Sequence, residues 1–269
     1  ITFTCKPKWS EITENILPGQ TAADRPDLVA RVCGIEYVFT YQVDNPMVNM
    51  CDPAFVGFHI IHNSDFSSKA TPKNGPDEKV GVFCRSGSET RVVEYTELGE
   101  EEREARDENG KLRFSAGNIA VHVVSTDFLF PDDGESAFEM PYHVAKKAIS
   151  YIRDGEIVES AEPNSIRFES FLFDVLPLAS NPVIMEVLRE REFAPVKNLE
   201  GSDSPDTARA LMQVEWARWL EEAGVNVPRN ADGALKHRIE ISPLYATTPE
   251  ELADRIPDDL SFDDDLLLE

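Results

Sequence analysis

The chain has 269 residues, 41% hydrophobic, 28% charged and 9% aromatic, and 26 basic against 50 acidic residues give a net charge of −24. The apolar content excludes wholesale disorder. The acidity argues against a nucleic-acid-binding face, which needs a basic stripe, and no stretch approaches the roughly 20 apolar residues of a membrane span.

Residues 1–33 are punctuated by Pro7, Pro18, Gly19 and Pro26 and hold no period. Order begins at Gly34. Ile35 to Val43 is rich in β-branched and aromatic residues and predicts a strand, closed by the turn signal Asp44-Asn45-Pro46. Phe55 to Ile61 predicts a second strand, on which His59 and His62 would face opposite ways and share no metal. Lys79–Arg85 and Thr90–Glu94 predict a hairpin about Ser86-Gly87-Ser88. Glu97–Glu108 predicts a solvated helix, and Ile119–Ser125 a strand. His143, Lys146 and Lys147 form a short basic cluster. Ile166 to Leu178 fits a strand or a buried helix; its run Phe171–Ala179, the longest apolar one, is broken by Asp174 and Pro177. Val183–Leu188 predicts a strand. Pro205–Ala223 is the clearest helix, with Asp206-Thr207 as cap, Ala210, Leu211, Val214, Ala217 and Leu220 as its apolar face and Gly224 as stop. Arg238–Ser242 predicts a last strand, and the acidic residues 258–269 a loose terminus.

Strands thus alternate irregularly with helices, an α/β pattern. Cys5, Cys33, Cys51 and Cys84 form no CxxC pair, which argues against a zinc ribbon or redox dithiol and predicts a reducing, cytoplasmic setting. Three residue types stand out chemically. Asp44 closes an apolar strand, where a carboxylate can hold Mg²⁺ or simply make a turn. Gly117-Asn118 combines close backbone approach with a donor–acceptor side chain, or is a turn. Lys197 can neutralise phosphate as a point charge, or is merely solvated.

Six blocks, in order, carry a resemblance. They are Ile35–Val38 with Val43-Asp44-Asn45-Pro46 and Asp52–Phe58; Val80-Gly81-Val82 with Val92–Leu98; Phe114–Ala120; Phe168–Asp174; Val187–Asn198; and Glu240–Leu244. Together they resemble the UDP-sugar pyrophosphorylase family, most closely its UDP-N-acetylglucosamine branch, from about Gly34 to about Leu252. The resemblance implies a partial Rossmann-like nucleotidyltransferase domain with a mixed sheet and a small C-terminal appendage. It divides the chain into an unmatched lead (1–33), a sugar-binding half (34–224) and a C-terminal region (225–269).

The implied reaction converts UTP and a sugar 1-phosphate into a UDP-sugar and pyrophosphate. N-acetylglucosamine 1-phosphate is the favoured sugar and glucose 1-phosphate the next. The resemblance gives Asp44 to Mg²⁺ and the nucleotide phosphates, and Gly81, Glu94 and Asn118 to the sugar. Phe171 and Phe173 would wall the sugar pocket, and Lys197 would meet phosphate. Arg167 stands where the family has lysine, which keeps the charge but changes the geometry. The family's Gly-rich nucleotide loop with its Thr-Arg has no counterpart here. The resemblance therefore covers about the C-terminal half of such an enzyme, and the chain by itself is expected not to transfer uridylyl. The rival expectation is a non-catalytic half-enzyme that binds UDP-sugar or a partner subunit.

Overall fold

The computed structural model describes residues 33–131 and 140–269. Apart from Cys33, the lead segment lies outside the described residues. The chain packs as two compact units. The first holds the described residues up to Thr40 together with Cys51–Glu186, and the second holds Tyr41–Met50 with Val187–Glu269.

In the first unit, β1 (Tyr37–Thr40), α1 (Pro53–Ile61), β2 (Phe66–Pro72), β3 (Val82–Ser86) and β4 (Glu89–Val93) follow in order. Then come α2 (Glu100–Glu104), β5 (Ala116–Ser125) and α3 (Thr126–Leu129). Two small strand pairs are nested in sequence: β6 (His143–Lys147) pairs with β9 (Ser165–Glu169), and between them β7 (Tyr151–Arg153) pairs with β8 (Glu156–Val158). A 3-10 helix (Leu172–Leu178) and β10 (Val183–Glu186) complete the unit.

The main sheet has six strands in the order β10-β2-β5-β3-β4, with β1 also pairing β5. Only β10–β2 is parallel among its pairs, so the sheet is mixed, as the α/β reading expects. Strand β5 is its spine. Ile119, Val121, Val123 and Val124 are all buried, and β-branched residues suit such a doubly covered strand.

Several expectations need correction. Phe55–Ile61 is part of helix α1, not a strand. Asp52 accepts from the Ala54 N–H at 2.9 Å and Pro53 occupies the first helical position. A side-chain cap followed by proline starts a helix, and here it overrides the β preference of Phe and Ile. His59 therefore lies inside, with its ring nitrogens 2.8 Å from Ser67 Oγ and 3.0 Å from Ser125 Oγ. Burial pushes its pKa down, outweighing the opposing pull of Asp65. Strand 35–43 shortens to β1, and the helix 97–108 to α2. Residues 166–178 form both of the alternatives in turn, the end of β9 and then the 3-10 helix. Strand β2 carries no apolar alternation. Its Ser67, Ser68, Lys69 and Thr71 are buried because it runs between β5 and β10. Lys69 is tolerated there by an ion pair to Asp52 at 2.7 Å, since a buried charge needs a partner.

The second unit contains α4 (Arg189–Glu192), α5 (Pro205–Glu222), β11 (Ile239–Ile241), α6 (Pro249–Arg255) and β12 (Leu266–Leu268). Its core joins Ala217 and Leu220 of α5 to Val225, Val227, Ile239, Ile241 and Leu252. The cap of α5 is Ser204, not Asp206-Thr207: Ser204 Oγ accepts from the Thr207 N–H. The helix buries Ala208, Ala217 and Leu220, while Ala210 and Val214 are exposed. Gly224 ends it at φ +87°, a conformation glycine takes without strain.

The tail is not loose. Its acidic run stops at Asp265, which binds Arg238, and β12 then pairs in parallel with β11. Leu266 and Leu268 pack on the core of this unit. Among the described residues, no helix is long and apolar enough to cross a membrane.

Candidate functional site

Three of the expected sugar-binding residues meet at one corner of the main sheet. Val82 pairs with Val93 in the β3–β4 hairpin, so Gly81 stands opposite Glu94. A Cβ at Gly81 would lie 2.8 Å from Glu94 Oε1 and 2.9 Å from Val92 Cγ1. The Gly81 carbonyl accepts from the Asn118 N–H at 2.8 Å. Glycine at position 81 thus leaves room for the Glu94 carboxylate.

A register break builds the Asn118 corner. Ser68 pairs with His122 but Ala70 pairs with Asn118, so β5 carries extra residues at this point. Ala120 absorbs the bulge at φ +54°, and the Asn118 Oδ1 accepts from its N–H at 2.9 Å. Bulges of this kind re-aim side chains next to sites. The Asn118 carbonyl is thereby used by the fold. Its side-chain N–H₂ has no acceptor among the described residues, which leaves a donor for a ligand hydroxyl. Gly117 is equally constrained, since a Cβ there would meet the Thr71 carbonyl at 3.1 Å. Lys73 lies beside it and donates to the Pro76 carbonyl at 3.2 Å. Burial lowers its pKa, and the Glu78 carboxylate opposes this.

Phe171 and Phe173 stack with ring centroids 4.9 Å apart and planes 11° from parallel. They do so from the start of the 3-10 helix, with Phe171 as its cap residue. Asp174 fixes that start, its Oδ2 accepting from the Phe171 N–H at 3.0 Å. His143 Nε2 in turn donates to both Asp174 oxygens, at 3.0 and 3.1 Å. His143 is therefore turned inward to a carboxylate rather than forming a basic patch with Lys146 and Lys147.

Arg167 does not join this cluster. It lies exposed on β9, and its ionic partner among the described residues is Glu169 at 3.6 Å.

In the second unit, Asp44 and Lys197 are brought close along the backbone. The Asp44 carbonyl accepts from the Val196 N–H at 2.8 Å. Asn45 closes the joint: its Oδ1 accepts from the Ala194 N–H at 3.0 Å and its Nδ2 donates to the Glu192 carbonyl at 2.8 Å. Asn45 is buried. In the sequence Asn45-Pro46 reads as a turn, because a long-range clamp and a turn use the same residues. Lys197 itself is exposed, while its N–H donates to the Asp203 carbonyl at 2.7 Å.

The Asp44 Oδ1 atom is buried and has no hydrogen-bond partner among the described residues. A buried carboxylate oxygen left unpaired is costly and suits a hard divalent cation, which binds through one or two carboxylates plus substrate phosphates. Elsewhere in this unit His237, Asp264 and Asp265 bring ligand atoms within 4.8 Å of one another, a spacing that could hold a metal ion. Asp265 of that group is already bound by Arg238.

Two family models match the sequence. The UTP–glucose-1-phosphate uridylyltransferase model matches residues 27–258. A model of the Helitron helicase-like domain at N-terminus matches residues 1–44. A curated relative, UDP-N-acetylhexosamine pyrophosphorylase-like protein 1 of Xenopus tropicalis, is 39% identical over 240 residues, covering 84% of this chain and 47% of that protein. The UDP-N-acetylglucosamine pyrophosphorylase of Saccharomyces cerevisiae is 37% identical, covering 82% of this chain and 46% of the relative. Among solved structures, a putative UDP-N-acetylglucosamine pyrophosphorylase from Entamoeba histolytica superposes with a TM-score of 0.73 at 26% identity, over 92% of this chain and 60% of that one. The chain spans about half the length of the curated relatives it matches.

Proposed function

The chain belongs to the UTP–glucose-1-phosphate uridylyltransferase family, and we propose that it forms the sugar- and phosphate-binding half of a UDP-sugar pyrophosphorylase. The reaction joins UTP and a sugar 1-phosphate. A phosphate oxygen of the sugar attacks the α-phosphorus of UTP, the bond from that phosphorus to the bridging oxygen breaks, and pyrophosphate leaves. No covalent nucleophile is required. The protein must hold two mutually repelling anions in line and supply positive charge where negative charge builds.

The observation that carries this reading is the convergence of Gly81, Glu94 and Asn118 on one corner of the sheet. Glu94 offers a carboxylate able to accept from two hydroxyls, and Asn118 offers the amide donor beside it. Phe171 and Phe173 provide a flat apolar wall suited to an N-acetyl methyl. On this reading N-acetylglucosamine 1-phosphate is the sugar substrate, a choice supported by relatives named UDP-N-acetylglucosamine pyrophosphorylase, and glucose 1-phosphate is the second choice. Asp44 would hold Mg²⁺, which neutralises phosphate charge when bound. Lys197 meets a phosphate oxygen as a point charge. The exposed Arg167 has the least support among the expected phosphate ligands.

The test combines release and binding. The purified chain, given UTP, Mg²⁺ and N-acetylglucosamine 1-phosphate, is expected to bind UDP-N-acetylglucosamine and release no pyrophosphate, because the Gly-rich nucleotide loop is not in this sequence. Pyrophosphate release would show that the chain is a catalyst in itself. Absence of both release and UDP-sugar binding would overturn the sugar-pocket reading.

A further inference from the structure

A chain of contacts runs from the acidic corner to the aromatic wall, and one residue joins its two halves. The Glu94 N–H donates to Glu97 Oε2 at 3.3 Å. The other Glu97 oxygen lies 3.8 Å from His143 Nδ1. The opposite ring nitrogen of His143 donates to Asp174, which in turn holds the Phe171 N–H. The His143 ring also packs on Phe171, with centroids 5.0 Å apart. His143 thus sits between two carboxylates from different segments, one that fixes the backbone of Glu94 and one that fixes the start of the stacked aromatic pair.

We propose that His143 is a positioning residue of the sugar pocket: it locks the Phe171/Phe173 stack in register with Glu94 and so sets which sugar the pocket accepts. It acts through Asp174. An imidazole suits this place because its Nε2–H donates to Asp174 while the other ring nitrogen faces the Glu97 carboxylate at 3.8 Å, beyond hydrogen-bond reach, so the Asp174 bond carries the lock. Preorganisation of this kind separates a tight site from a loose one. The last step, from stack to sugar choice, rests on the sugar-pocket reading; the clamp itself does not.

The experiment has one arm without ligand and one with it. In the first, the chain carries isotope-labelled phenylalanine and valine, and the ring-current-shifted resonances of the stack are identified by their loss in Phe171→Leu. His143→Ala and His143→Asn are expected to lose these shifts. His143→Gln, whose amide nitrogen reaches the place of Nε2, is expected to retain them. Valine methyl resonances of β5 should be unchanged in all three, which separates loss of the clamp from unfolding. Persistence of the shifts in His143→Ala, or equal loss in the Gln variant, would overturn the clamp.

In the second arm UDP-N-acetylglucosamine, UDP-glucose and UDP are titrated separately. His143→Ala is expected to weaken UDP-N-acetylglucosamine about tenfold, the size of one good hydrogen bond, to narrow its margin over UDP-glucose, and to leave UDP unchanged. Equal weakening of the two UDP-sugars, or equal weakening of UDP, would contradict a role in sugar choice. If the unaltered chain itself does not prefer the UDP-sugar to UDP, the sugar-pocket reading fails, and the resonance arm still decides the clamp.

Discussion

Gly81 and Glu94 face each other across the end of the β3–β4 hairpin, so closely that a Cβ at Gly81 would lie 2.8 Å from Glu94 Oε1. The position has no positive φ to explain a glycine. Space for the carboxylate does. Gly81→Ala should displace Glu94 and crowd Val92, at a cost of about 1–2 kcal/mol in stability. The larger effect should fall on UDP-sugar affinity, read by titration against urea unfolding of the same variant. Unchanged affinity would mean that Glu94 does not contact the sugar.

Asn45 should matter more than a turn residue. Removing its side chain leaves the Ala194 N–H and the Glu192 carbonyl without their partner. Asn45→Ala is expected to cost about 2–4 kcal/mol, from groups each worth roughly 1–3 when left unsatisfied. Asn45→Asp keeps the acceptor but sets a buried carboxylate against the Glu192 carbonyl, so in urea unfolding it should cost at least as much as Asn45→Ala.

The Asp52–Lys69 pair supports the sheet from beneath. Lys69 is fully buried, Asp52 nearly so, and Asp52 also caps α1. Lys69→Met leaves a buried carboxylate unpaired and should destabilise by about 3–5 kcal/mol in urea unfolding. The double variant Asp52→Asn, Lys69→Met should recover much of that loss, because Asn still caps the helix and no charge remains buried.

Acid should weaken the first unit through His122. Burial pushes its pKa from the ordinary 6.5 down to about 3, and the ring lies against Ser68 Oγ at 2.8 Å. The folded state keeps the ring neutral, while the unfolded chain takes up a proton below pH 6.5. Its contribution is therefore fully present above pH 6.5 and lost as the pH falls toward 3, with a slope of about 1.4 kcal/mol per pH unit. Unfolding measured between pH 7 and pH 4 should show this slope, and His122→Asn should flatten it.

Much of this molecule was legible from its residues, for identifiable reasons. Strand β5, the β3–β4 hairpin and helix α5 announce themselves through β-branched runs, a turn and a cap-to-glycine span. Helix α1 reads as a strand because Phe, Val and Ile carry β preference, while the deciding signal, Asp52-Pro53, lies just outside the run. Strand β2 gives no sequence signal because its buried residues include Ser67, Ser68, Lys69 and Thr71, of which the first three are satisfied by His59, His122 and Asp52 on other elements or their caps. Resemblance alone proposes Gly81, Glu94 and Asn118 as sugar ligands; a hairpin register and a bulge bring the three together. The roles of Asn45 and His143 leave no local pattern, since the Asn45 bonds span 147 and 149 residues and the His143–Asp174 bond spans 31.

The most direct measurement is calorimetric titration of the chain with UDP-N-acetylglucosamine and with UDP-glucose, each with and without Mg²⁺. The account predicts tighter binding of the N-acetylated sugar, weakened when Phe173 is made small, and strengthened by Mg²⁺ through Asp44. Equal affinity for both sugars, unmoved by Phe173→Ala, would contradict the assignment of the aromatic wall, and the absence of any binding would contradict the sugar pocket itself.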